Sequence, residues 1–201
     1  MKILVTGGLG FIGSHTVVEL QNQGFDVVII DDLSNSSEDV LKGITAITNK
    51  TPEFEKLDLR EKAKVQEFFK KHQDISGVIH FAASKAVGES VEKPLEYYEN
   101  NINSLIYILQ ELQQKPEANF IFSSSCTVYG QPESLPVTES APVQPAVSPY
   151  GNSKQICEEI IRDSVHAKNA RLKAISLRYF NPIGAHESAL IGELPLGPPA
   201  N

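Results

Sequence analysis

The chain alternates short, continuous apolar runs with longer segments whose apolar residues recur at helical intervals. Lys2 to Thr6 is a β-branched run that reads as a buried parallel strand, and glycines follow it at once before a helical pattern begins near Phe11. From Ile12 to Asn22 the spacing is that of a helix, which stops at Gly24. A second run, Val27 to Ile30, ends in Asp31 and Asp32. Ser36, with Asp39 three positions on, is placed to cap a helix running to about Asn49, and Phe54 to Leu57 reads as a third strand ending at Asp58. Glu61 to Lys71 is amphipathic, with Val65, Phe68 and Phe69 on one face. Ser76 and Gly77 then lead into a fourth strand, Val78 to Ala82, continuous and apolar as a strand buried on both faces should be.

Pro94 suits the first turn of a long helix reaching about Gln114, with Pro116 closing it. Phe120 to Ser123 is a fifth strand. Between Gln131 and Pro149 the prolines at 132, 136, 142, 145 and 149 demand an extended loop. Tyr150 opens a helix through about Lys168, and Leu172 to Tyr179 is a sixth strand. The regular alternation predicts an α/β fold, a doubly wound parallel sheet of the Rossmann type in strand order 3-2-1-4-5-6. Residues 1–180 make up this dinucleotide-binding domain. From Asn181 to Asn201 proline and glycine break any regular pattern, so residues 181–201 read as the beginning of a smaller substrate-binding region. The chain stops in mid-loop, and the expectation is the N-terminal part of a longer protein.

Composition narrows the function. At 201 residues with 41% hydrophobic residues the chain can bury one substantial core, and a formal charge of -7 without a clustered Lys/Arg stripe argues against nucleic acid as a partner. No apolar segment approaches the roughly 18 residues needed to span a bilayer, and the N-terminus is a core strand instead of a signal peptide. A cytoplasmic protein without a membrane partner is expected. Cys126 and Cys157 lack metal or redox spacing and read as reduced thiols, and the five histidines show no metal-ligand spacing, so no metal is expected.

Candidate chemistry lies at the strand ends. In Gly8-x-Gly10-x-x-Gly13, preceded by Gly7, it is Gly7 that allows the sharp turn out of the strand. Gly10 admits a diphosphate to the backbone, and Gly13 lets the new helix pack against the sheet. The diphosphate would sit on the helix N-terminus. Asp31, about 20 residues beyond the glycines, is where such a fold binds the adenosine ribose hydroxyls; a carboxylate there repels a 2′-phosphate and favours NAD over NADP. Tyr150 and Lys154 share one face at the start of a helix. A nearby ammonium favours the phenolate, which makes Tyr150 a candidate general base.

The Thr6-Gly7-Gly8-Leu9-Gly10-Phe11-Ile12-Gly13 turn, the Tyr150-x-x-x-Lys154 pair and the Ser123-Ser124-Ser125 run resemble the extended short-chain dehydrogenase/reductase family. The stretches from Phe81 to Ser90, from Ser125 to Gly130 and from Arg178 to His186 resemble, more narrowly, the branch that epimerises UDP-glucose at C4. The likeness covers the whole chain. It implies that Ser125 and Tyr150 engage the sugar 4-hydroxyl while Lys154 holds the nicotinamide ribose and lowers the tyrosine pKa. It also implies NAD contacts at Phe11 and Ile12, at Asp31, Asp32, Leu33, Ser34, Asn35 and Ser36 along the adenosine ribose, and at Asp58 and Leu59 beside adenine. Phe81, Ala82, Ala83, Ser84, Lys85, Asn100, Ser125, Tyr150, Lys154 and Phe180 would line the rest of the groove. Asn181 and Asn201 resemble positions that meet the nucleotide-sugar.

The implied reaction interconverts UDP-glucose and UDP-galactose, with hydride passing from C4 to a retained NAD and back through a 4-keto sugar, in a homodimer when full length. Cys126 stands where that branch often has alanine, and Asp32 where it often has asparagine. Rival readings are a UDP-N-acetylhexosamine 4-epimerase, a redox sensor, a fragment that only binds NAD, and a nucleotide-sugar 4,6-dehydratase. The last needs an Asp-Glu pair directly after the serine or threonine, where this chain has Cys126-Thr127.

Overall fold

The computed structural model describes residues 1–115 and 117–193. One six-stranded sheet in the order β3-β2-β1-β4-β5-β6 carries the molecule. Its strands are β1 (Lys2–Thr6), β2 (Asp26–Asp31), β3 (Glu53–Lys56), β4 (Ile75–His80), β5 (Ala118–Ser125) and β6 (Leu172–Tyr179). All five strand pairings are parallel, as the alternating pattern requires. The helices are α1 (Phe11–Asn22), α2 (Asp39–Thr48), α3 (Lys62–Lys71), α4 (Val87–Glu92), α5 (Pro94–Leu112) and α6 (Pro149–His166).

Because strand side chains alternate between faces, Ile3 and Val5 point to one side of the sheet and Leu4 to the other. Ile3, Val5, Val27 and Ile29 pack with Val17 and Val18 of α1 and Val40 and Ile44 of α2. Leu4, Val28, Ile30, Val78, Phe120 and Phe122 form the other layer with Val65, Phe68 and Phe69 of α3, Leu105, Ile108 and Leu112 of α5, and Cys157 and Ile161 of α6. No helix among the described residues is long and apolar enough to cross a membrane.

β1 and β6 fall where the pattern predicts, and several other elements shift. β4 begins at Ile75, where Lys2 faces Ile75 while Ile3 faces Gly77, leaving Ser76 as an extra residue whose hydroxyl donates to the Lys2 carbonyl (3.1 Å), and it stops at His80, opposite Thr6 at the end of β1. Phe81 and Ala82, expected in the strand, begin the loop above it, with the Phe81 N–H still donating to the Thr6 carbonyl (3.0 Å). β3 starts one residue earlier than expected, at Glu53, and β5 runs through the serines, with Ser124 and Ser125 paired to Arg178 and Tyr179. The serine run is thus the end of the strand and not a segment after it.

Ser36 does not cap α2. Its hydroxyl donates to Asp31 Oδ1 (2.7 Å), and Ser37 Oγ accepts the Asp39 N–H instead. The proline-rich loop stops one residue sooner than predicted: Pro149 is the first residue of α6, and Ser148 caps it by accepting the Gly151 N–H (3.1 Å). That helix ends at His166, short of Lys168. α5 ends at Leu112, and Pro116, expected to close it, lies outside the described residues. The short helix α4 was not legible in the pattern.

Candidate active site

The turn between β1 and α1 is bound to the strands on both sides of it. Gly7 has φ +66, and a Cβ there would lie 2.8 Å from the Ala82 nitrogen, so only glycine combines this turn with the close approach of the β4 loop. A Cβ on Gly13 would lie 2.1 Å from the Gly7 carbonyl oxygen; its role is to let α1 close on its own turn, while Gly8 makes the close contact to Ile29 in the sheet. No side chain caps α1 at Gly10 and its first turn carries no acid, so the helix start is suited to an anion. Around Gly10 a Cβ would meet only the Gly7 carbonyl oxygen, at 3.3 Å, which leaves its open side free for a diphosphate.

Asp31 sits at the end of β2 with 7% exposure and organises this corner. Its Oδ2 accepts the Leu9 N–H (3.1 Å), and its Oδ1 accepts the Leu33 N–H (3.0 Å) and the Ser36 hydroxyl. The carboxylate therefore ties the glycine turn to the 31–36 loop, in which Leu33 takes φ +64. Asp32 Oδ1 accepts both the Ser34 N–H (2.9 Å) and its hydroxyl (2.6 Å), which folds the loop back on itself with Asn35 at its exposed bend. Asp58 grips Arg60 through Nε and Nη2 (2.7 Å to Oδ2), and that guanidinium holds its carboxyl below the usual range. Leu59 points into the core, so only its backbone faces this edge.

Beyond β4, the loop from Phe81 to Lys85 is fixed by residues that the pattern did not single out. Asn101, 2% exposed on α5, pairs with Ser84 as a strand neighbour would: its Oδ1 accepts the Ser84 N–H (2.8 Å) and its Nδ2 donates to the Ser84 carbonyl (3.0 Å). The same Nδ2 reaches Ser153 Oγ on α6 (3.0 Å), next to Lys154. Tyr97 adds a second tie, accepting the Ala86 N–H (3.1 Å) and donating to Glu89 (2.8 Å). Asn100 donates to Ser84 Oγ (2.8 Å). The available signal was a polar residue, Asn101, on the apolar face of α5 between Tyr97 and Leu105.

Tyr150 and Lys154 stand on the first turns of α6, both buried, above the end of β5. Lys154 Nζ donates to the Ser123 carbonyl (2.8 Å) and lies 4.7 Å from the Phe122 ring centroid and 5.9 Å from that of Tyr150. Burial pulls its pKa down to about 8, against the opposing pull of Cys157 and Glu158. Burial also pushes the Tyr150 phenol above its ordinary value, and a hydrogen bond with Ser125 offsets this only in part. Desolvation is the largest influence on the phenol, and it works against the lowering expected from Lys154. Ser125 also accepts the Thr127 N–H (3.2 Å), opening the short 3-10 turn Cys126–Tyr129.

Behind them Glu158 accepts a two-pronged bond from Arg178 (3.0 and 2.6 Å) and the Ser124 hydroxyl (2.5 Å), locking α6, β5 and β6 together. His80 shares a bond with Thr6 Oγ1 (2.7 Å), and burial drives its pKa down to about 3, so it stays neutral. Phe180 and Asn181 are exposed beyond β6, and Asn201 lies outside the described residues. Among the described residues no group of His, Cys, Asp and Glu side chains is arranged to hold a metal ion.

Comparison with known proteins adds to this geometry. The chain is 50% identical over 201 residues to the UDP-glucose 4-epimerase of Haemophilus influenzae and 48% identical over 206 residues to that of Mus musculus, in each case spanning the whole chain and 59% of the relative. Among solved structures, the UDP-glucose 4-epimerase of Bifidobacterium longum in complex with NAD+ and UDP superposes with a TM-score of 0.95 at 47% identity, covering 100% of this chain and 59% of that one. A UDP-Glc/GlcNAc 4-epimerase from Campylobacter jejuni superposes with a TM-score of 0.83 at 35% identity over 89% of this chain and 53% of its own. The family model that matches, over residues 3–193, is that of the NAD dependent epimerase/dehydratase family, and the chain belongs to it.

Proposed function

We propose that this chain is the dinucleotide-binding part of an epimerase that interconverts UDP-glucose and UDP-galactose at C4, with NAD as a retained cofactor. The observation that carries the reading is that Ser125, Tyr150 and Lys154 lie at the carboxyl edge of the same parallel sheet whose other strand ends carry the uncapped helix start and Asp31. It occurs in a chain about half identical, end to end, to UDP-glucose 4-epimerases. The residues present fit the cofactor. The glycine turn and the start of α1 would hold the diphosphate, and the 31–36 loop the adenosine ribose. Lys154, whose ammonium meets one acceptor among the described residues, has donors left for the second ribose.

Bound NAD would supply a hydride acceptor that takes hydride from C4 and returns it to the other face of a 4-keto sugar, with no net oxidation. Tyr150 accepts the proton of the 4-hydroxyl, directly or through Ser125, and gives one back at the end of the cycle. Its raised phenol pKa leaves little phenolate at neutral pH, so cationic neighbours are needed to populate it. Burial limits the charge Lys154 carries: with a pKa near 8 it remains mostly ammonium at neutral pH. Asn181, just beyond β6, is assigned to the sugar nucleotide. A 4,6-dehydratase is disfavoured because Cys126 and Thr127 occupy the 3-10 turn where it needs its acidic pair. The same reading makes the full-length protein a cytoplasmic homodimer of galactose metabolism.

The test adds UDP-galactose to this chain and to the full-length protein, follows products by chromatography, and measures bound NAD in each. NAD in both with conversion only by the longer form is expected. Absence of conversion by the longer form would refute the reading. Equal conversion by both would show that residues 181–201 already complete the substrate site.

A further inference from the structure

After β6 the chain does not stay at that edge of the sheet. It leaves Tyr179, crosses the carboxyl ends of the strands, and arrives on the opposite side at α1 and α2. There the His186 ring lies 6.4 Å from that of His15 on α1, and Ile191, 5% exposed, joins Val40 and Ile44 of α2 in the core. The crossing itself is exposed, Ile183 at 88%, so the segment is held at its far end. That end is a closed knuckle. The His186 N–H donates to the Ile191 carbonyl (3.1 Å), the Ala189 N–H donates to the His186 carbonyl (2.8 Å), and Ala185 bridges Gly192 in antiparallel fashion.

α2 is shaped to receive it. Gly43 sits inside the helix, where alanine would be favoured, yet a Cβ there would lie 2.5 Å from the Leu190 carbonyl oxygen and 2.9 Å from Ile191 Cγ2. The backbone of the crossing segment occupies the space that a side chain would take. Two residues on, Glu193 pairs with Lys85 (3.6 Å) on the loop after β4. Segment 181–193, α1 and the β4 loop thus form a ring around the carboxyl edge that carries the glycine turn.

We propose that residues 181–193 are a belt that retains the dinucleotide, clasped by Ile191 in the notch at Gly43 and latched by Glu193 to Lys85. The proposal rests on the cofactor reading above. A ligand seated over Gly10 lies inside the ring, and it can leave only when the belt lifts, so Gly43 and Ile191 set its lifetime without touching it.

The experiment loads the 201-residue chain with NADH, chases with excess NAD, and follows nicotinamide fluorescence, with association measured separately by stopped flow. Gly43→Ala and Ile191→Ala should each release NADH about tenfold faster, equivalent to one weakened clasp contact, and should bind it faster as well. In Gly43→Ala the better helix propensity of alanine is set against the displaced Leu190 backbone and Ile191 side chain, so its melting temperature should fall less than that of Ile191→Ala. Release within about twofold of the parent in both variants would overturn the belt. So would faster release with unchanged association and a lower melting temperature, which marks general loosening. If the parent chain takes up no NADH, the cofactor reading itself fails and the belt falls with it, an outcome distinct from normal uptake with unaltered release.

Discussion

Lys154 is charged, buried and poorly partnered, and its removal should stabilise the fold while abolishing its use. The substitution is Lys154→Met, which keeps most of the aliphatic stem between Phe122 and Tyr150 and deletes the ammonium. Burial lowers the lysine pKa from 10.5 to about 8, and at about 1.36 kcal/mol per unit this is a cost of roughly 3 kcal/mol at pH 7, an upper bound. Against it stands the Ser123 carbonyl, which loses its donor at roughly 1–2 kcal/mol. The variant should therefore gain about 1–2 kcal/mol at pH 7, or roughly 3–6 °C in melting temperature for a chain of this size.

The pH dependence fixes the cause. Between pH 8 and 10.5 the unfolded chain holds the lysine proton and the folded chain has released it, so the unfolded state binds more protons and the parent grows more stable as pH rises. The variant lacks this gain, and its advantage should be full below pH 8 and shrink above it. Cys157, whose thiol burial pushes up to about 11, is held lower by the Lys154 ammonium, so losing that charge costs the variant more at high pH and narrows its advantage in the same direction. Urea unfolding followed by circular dichroism at pH 7, 8.5 and 9.5 measures the gap. A variant less stable than the parent at pH 7, or an advantage that widens with pH, would refute the reasoning.

Three further outcomes are expected. Asp31→Ala should weaken NAD binding and narrow its preference over NADP in a titration, since it removes the carboxylate and releases Leu9, Leu33 and Ser36 together; unchanged selectivity would contradict its role. Tyr150→Phe in the full-length protein should leave folding and NAD binding intact while epimerisation of UDP-galactose falls by about 100-fold or more, and near-normal turnover would remove Tyr150 as the base. Asn101→Ala leaves the Ser84 N–H and C=O unpaired, so thermal unfolding should show a loss of about 2–4 kcal/mol with weaker NAD binding, and an unaltered melting curve would show the pairing to be dispensable.

The sheet was legible because its strands are short β-branched runs buried on both faces, and that signal is local. It failed where local chemistry misleads. Ser124 and Ser125 do not look like strand residues, yet they pair with β6. β4 starts before its apolar run, through the irregularity at Ser76, and ends opposite Thr6, while α4, six residues with Gly88 and Glu89 inside it, carries no periodicity to detect. Ser36 has the spacing of a helix cap, but Asp31 offers its hydroxyl a buried carboxylate. The glycine turn, Asp31 and the Tyr150–Lys154 pair were visible as spacings. Asn101 was not, because its purpose is defined by Ser84 and Ser153, which only the folded chain brings to it. The direction of the Tyr150 shift was equally hidden, since spacing reports a neighbouring charge and says nothing of how much water is excluded.

The central place of β1 in the sheet has a consequence for the order of events during synthesis. β1 leaves the ribosome before the other five strands and meets β2 soon afterwards, but its other neighbour is β4: Thr6 bonds His80, 74 residues further on, and Gly7 must nestle against Ala82. Until then the face of β1 and β2 that bears Leu4, Val28 and Ile30 waits for α3 and α5, a nascent half-sheet with an open edge and an uncovered apolar layer. Closing such a distant parallel contact is slow, and the intermediate is the form most prone to stick to its own kind. The turn on which the chemistry depends is thus made before five of the six strands, yet it cannot take its final shape until the fourth has arrived.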